Sequence, residues 1–99
     1  MAKKREETIL TRNVNEGADG TRISKRKYDA MRHAILEAMP RGPEGIRFTQ
    51  LFDAVVPHLP GDWEGAVSWY VTTVKLDLEA RRLIERVPGA KPQRLRRVR

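Results

Sequence analysis

Arginine is the residue type with the most chemistry to offer in this sequence. Residues 81–99, "RRLIERVPGAKPQRLRRVR", hold eight basic side chains against the single Glu85. A guanidinium group stays charged at any biological pH and presents a planar fork of donors. Its chemistry is therefore anion binding rather than proton transfer. A cationic run of this density attracts polyanions, nucleic acid above all. If roughly four to six of these cations neutralise phosphates, affinity should fall with salt by about 0.9 log units per contact per log unit. The other reading of such a run is a solvated hairpin whose arginine stems cover apolar surface.

Few other residues are spaced for chemistry. His33 and His58 lie far apart and show no metal-ligand spacing such as H-E-x-x-H. With no cysteine, there is no thiolate zinc site and no disulfide framework. Asp53, Asp77 and Glu79 are carboxylates without a second group at a defined spacing. "PRGPEG" has two glycines but lacks the lysine and hydroxyl that end a phosphate-binding loop. The expectation is a protein that is not an enzyme and has no metal, cofactor or small-molecule substrate.

The 99 residues suffice for one small domain. Their net charge of +7 is uneven: residues 1–32 carry +4, residues 33–80 carry −4 and residues 81–99 carry +7. No apolar run approaches the ~20 residues of a membrane span. "MAKKREETIL" has no apolar stretch behind its cations, so it does not read as a signal peptide. A cytoplasmic protein is expected.

Residues 1–22 are polar and aperiodic, and predict a flexible N-terminal segment ahead of a domain over 23–99. Ser24 is placed to cap a helix from Lys25, with Tyr28, Met31, Ile35, Ala38 and Met39 on one face and Pro40 ending it. "IRF", 46–48, reads as a short strand at a sheet edge. Thr49 caps a second helix carrying Leu51, Phe52, Val55 and Val56, which Pro57 stops. After the turn "PHLPGD", Asp62 caps a third helix over about Trp63 to Arg82. Its core stripe is Trp63, Val67, Tyr70, Val71, Val74 and Leu78. "LIERV" and "QRLRRV" then read as strands joined by "PGAKP", with Gly89 available for a positive φ. With Leu95 pointing inward, Arg94 and Arg96 point to the other face.

The fold class is thus α+β: three helices and a small three-stranded antiparallel sheet, in the order α-β-α-α-β-β. That order, with a basic hairpin after the longest helix, resembles the winged helix-turn-helix domain. "LEARRLIERV" is similar to the junction between recognition helix and first wing strand in many bacterial winged-helix regulators. "VSWYVTTVKLDLEARRLIER" also resembles a signature of small bacterial proteins of unassigned function.

The resemblance implies a DNA-binding, regulator-like protein. Ser68, Thr72, Thr73 and Lys75 would face DNA from the recognition helix. Arg86, Lys91, Arg94 and Arg96 would reach phosphate or the minor groove from the wing. Two features depart from the pattern: Arg82 stands where glycine is usual, and Asp62 to Ala80 carries four carboxylates against Lys75 alone.

A second apolar set on the third helix, Trp69, Thr73, Leu76 and Ala80, lies almost opposite the core stripe. Trp69 and Leu76 would anchor a protein partner or a homodimer in an interaction module of the same fold. The other reading covers them with the N-terminal segment through Ile9, Leu10, Val14 or Ile23.

Overall fold

Ser24 begins the first helix as its side chain predicts. Its hydroxyl accepts a hydrogen bond from Lys27 N at 3.3 Å in the computed structural model, which describes residues 6–98. Helix α1 (Lys25–Ala38) buries Tyr28, Met31, Ala34 and Ile35 along one stripe. Met39 follows at the C-cap, also buried.

Strand β3 (Ile46–Arg47) comes next, then α2 (Phe48–Ala54) and a 3-10 turn (Val56–His58) around Pro57. Helix α2 starts two residues earlier than expected. Phe48 opens it and Gln50 Oε1 accepts from Arg47 N at 3.4 Å, so Thr49 is not the cap. Pro57 ends α2 as expected, because it has no amide proton to continue the ladder.

Helix α3 (Val67–Ala80) departs further: the expected start near Asp62 is not where the helix begins. Residues 61–66 form a loop instead. Trp63 Nε1 donates to Gly65 O at 3.1 Å, and Gly65 takes φ 117°. A Cβ there would meet Tyr70 Cε2 at 2.8 Å, so only glycine lets the chain pass under the Tyr70 ring. At its other end α3 closes through bonds from Arg82 N to Glu79 O and Leu83 N to Leu78 O, the Schellman pattern, with Arg82 at φ 62°.

The hairpin follows as β4 (Ile84–Arg86) and β5 (Arg94–Arg97), antiparallel, with Glu85 opposite Arg96. Gly89 adopts the positive φ foreseen for the turn. β5 also pairs with β3, Arg47 opposite Arg94, so the sheet order is β3-β5-β4 and β3 is an edge. Leu95 is fully buried, which sets the facing of its neighbours.

The flexible segment foreseen over 1–22 is corrected for the described part. β1 (Thr8–Leu10) pairs antiparallel with β2 (Arg22–Ser24), Ile9 opposite Ile23. Thr11 continues the pairing beyond the strands. Its N and Oγ1 donate to Thr21 O at 2.9 Å, and its Oγ1 accepts from Thr21 N at 2.9 Å. Ile9 and Ile23 pack on the core, and the apolar area they remove from water holds a polar segment in place. The first five residues of that segment lie outside the described residues. The chain is thus α+β, with three helices and two small antiparallel sheets around one core. Among the described residues no helix is long and apolar enough to cross a membrane.

Candidate functional site on helix α3 and the hairpin

Helix α3 carries three charged residues, and all three are buried. Lys75 is 3 % exposed. Its ammonium lies 3.0 Å from Glu79 Oε2 and 4.6 Å from the centre of the Phe48 ring. Burial pushes its pKa below the ordinary lysine value, and the hydrogen bond it donates to Glu79 pulls in the other direction. Lys75 was expected to face DNA; it faces the core. The reason is spacing: it falls one turn after buried Val71 and one turn before buried Glu79, on the arc that packs inward.

Asp77 is a buried node. It accepts from Arg12 N at 2.8 Å, from the Tyr28 hydroxyl and from Arg81 Nε at 2.8 Å. It thereby ties α1, α3 and the N-terminal ribbon together. Glu79 binds Lys75 and also Arg86 Nε at 2.7 Å. On the sequence alone these carboxylates count as acid on a helix expected to face DNA. The signal to the contrary is the pair of i,i+4 spacings, Lys75–Glu79 and Asp77–Arg81, inside an apolar helix.

What α3 presents outward is neutral. At ~100° per residue, Ser68, Trp69, Thr72, Thr73, Leu76 and Ala80 fall within about 140° of the helix circumference. None is fully buried, and none is charged. The Thr72 hydroxyl donates back to Ser68 O at 2.9 Å. Trp69 is 46 % exposed and stacks edge-on against Tyr70, with ring centres 4.9 Å apart. The N-terminal ribbon does not cover it: Ile9 and Ile23 pack on the core, while Leu10 and Val14 stay exposed.

The hairpin exists, yet most of its cations are engaged within the chain. Arg86 is held by Glu79, a hydrogen bond that keeps its pKa above the ordinary arginine value. Arg96 Nε binds Glu85 Oε2 at 2.6 Å and its Nη1 binds Pro43 O at 3.3 Å. Arg94 donates to Glu44 O at 2.8 Å and Gly45 O at 3.2 Å. Arg97 donates to Leu36 O. So two of the four expected wing cations, Arg86 and Arg96, are bound to carboxylates, Arg86 sharing Glu79 with Lys75. Arg94 keeps its charge while bracing the loop before β3. Lys91 is exposed, with no hydrogen bond or ion pair to a described residue. Arg47, opposite Arg94 across the strands and also exposed, escaped sequence reasoning because only the register brings the two together.

The model of a family of unknown function, DUF6958, matches residues 8–95. The chain belongs to that family. The match runs from β1 to β5, so the DUF6958 region takes in the N-terminal ribbon as well as the helices and the hairpin. No curated protein and no solved structure matches the chain. Among the described residues there is no cluster of three or more metal-ligating side chains.

Proposed function

We propose that this member of the DUF6958 family is a winged helix-turn-helix domain that binds duplex DNA. The order α1-β3-α2-α3-β4-β5 and the strand order β3-β5-β4 support that architecture. The observation that carries the reading is the burial of every charge on α3. The carboxylates that would repel phosphate are buried and paired, so the exposed arc offers the hydroxyls of Ser68, Thr72 and Thr73 without negative charge. Of the expected wing cations, Lys91 and Arg94 remain free of carboxylates among the described residues to hold phosphate, and Arg47 stands opposite Arg94 to join them. Lys75, Arg86 and Arg96 drop out of the contact set.

Fluorescence anisotropy with a labelled duplex at several salt concentrations tests this. With three phosphate contacts, the log–log slope should be about −3, shallower than the four to six contacts the composition suggests. Lys91→Glu with Arg47→Glu should remove most of the binding. No binding at low salt, or binding indifferent to that double variant, would sink the proposal.

A second reading is favoured by Trp69. A half-exposed tryptophan on the same uncharged arc as Leu76 suits a twofold contact between copies of this chain, since no like charges meet across the axis. Light scattering behind size exclusion should then show a dimer that Trp69→Ala turns into a monomer. A monomeric wild type at high concentration removes this reading.

A further inference from the structure

Three parts of the chain, with Val98 after β5, meet at the C-terminal end of α3 around an open cleft of about 490 Å³. The loop of the N-terminal ribbon, the first hairpin strand and the helix end each supply a wall. The size is within the range of small-molecule sites. Its exposed apolar surface comes from Val14 and Val98; Ile84 also borders it but is buried. Val14 and Val98 are 41 % and 37 % exposed, unusual for valines with an apolar neighbour at hand.

The charges around the cleft are nearly all accounted for. Glu79 holds Lys75 and Arg86, and Glu85 holds Arg96. Arg82 is the one lining charge whose side chain has no hydrogen bond or ion pair to another described residue. It is also the only non-glycine described residue with positive φ. Glycine takes that backbone conformation at little cost, and arginine does not. An unpartnered guanidinium is thus held, against local backbone preference, on the rim of a cleft that also exposes two valines.

We infer that this cleft binds a small organic carboxylate, its apolar body against Val14 and Val98 and its carboxylate on the Arg82 guanidinium. A guanidinium matches a carboxylate through two parallel hydrogen bonds. One free cation suits a monoanion. A dianionic phosphate ester would bring a second negative charge towards Glu79 and Glu85. The bound molecule bridges the ribbon loop and β4, at the end of α3 away from Trp69.

Methyl-labelled NMR on the full chain, titrated with 2-naphthoate and with neutral 2-naphthamide, tests this. Naphthoate should give saturable shifts at the methyls of Val14, Ile84 and Val98. Naphthamide should bind about tenfold more weakly or worse, as should naphthoate to Arg82→Gly, because each loses the charge-assisted pair. Arg82→Gly keeps the fold, since glycine suits φ 62°, and its spectrum verifies that. Arg82→Lys should retain part of the affinity through its charge. Absence of saturable shifts at these methyls, shifts concentrated at Trp69 instead, or equal binding of naphthoate by Arg82→Gly would overturn the assignment.

Discussion

Glu79 holds two cations at once, and the two are not equivalent. Arg86 reaches it from a half-exposed position, whereas Lys75 is enclosed. Removing the carboxylate leaves the enclosed ammonium without a partner in a poor dielectric, a loss of about 3–5 kcal/mol. Removing the ammonium leaves Glu79 still bound to Arg86, and an apolar replacement keeps the contact with the Phe48 ring. Urea denaturation should therefore find Glu79→Gln far more damaging than Lys75→Met, which should cost under about 1.5 kcal/mol. Equal losses would show that Arg86 does not support Glu79. Arg82 gives the opposite sign. Relieving its left-handed backbone, Arg82→Gly should raise stability by roughly 0.5–1 kcal/mol in the same measurement. Residue types were legible from the sequence, but roles were less so. Ser24 and Gly89 could be read because capping and positive φ are local properties. Lys75 could not, because an ammonium is ordinarily at the surface and only Glu79 and the packed Phe48 ring make its burial tolerable.

Helix α3 starts four residues after the position its apolar stripe suggests, and the loop before it explains why. Trp63 does lie against the core, as the stripe requires, and its ring meets Tyr70 edge-on at 5.1 Å. It arrives there from a loop bent at Gly65, not from a helix turn. Gly65→Ala should lower stability by about 1–3 kcal/mol, through φ strain and the clash with Tyr70, read as a lower thermal midpoint. An unchanged midpoint would mean the loop has another way past the ring. The hairpin shows the same division. Its strands follow from alternation around Leu95 and its turn from Gly89. Its electrostatic character does not follow from composition, since the carboxylates that pair its arginines come from α3 and β4, while carbonyls of the loop before β3 engage Arg94. The N-terminal ribbon was missed because two three-residue strands carry too little periodicity to register. They hold by pairing with each other and by the burial of Ile9 and Ile23.

Across the whole molecule, Asp77 joins the parts most distant in sequence: the ribbon through Arg12, α1 through Tyr28 and the end of α3 through Arg81. That node gives stability an alkaline limit. Burial, reinforced by the hydrogen bond to Asp77, holds the Tyr28 phenol above its ordinary pKa near 10. A proton kept more tightly in the folded state stabilises fully below the unfolded value and is lost as pH rises through the folded one. Lys75 acts in the other direction. Its lowered pKa means that the folded state gains as pH climbs towards the ordinary lysine value. Comparing denaturation of the wild type and Tyr28→Phe from neutral pH to above pH ~10 separates the two. Tyr28→Phe should cost ~1–3 kcal/mol at neutral pH by depriving a buried carboxylate of a donor, and should flatten the alkaline fall. A parallel alkaline loss in both proteins would assign it elsewhere.

The sequence by itself determined the α+β class, the order from α1 to β5, the boundaries of α1 and the buried facing of Leu95. Each of these rests on periodicity, caps or turn residues within a few positions of one another. Only the tertiary structure decided which charges remain free. An ion pair depends on side chains meeting across elements that are far apart in the chain, and composition counts cations without knowing what lies opposite them.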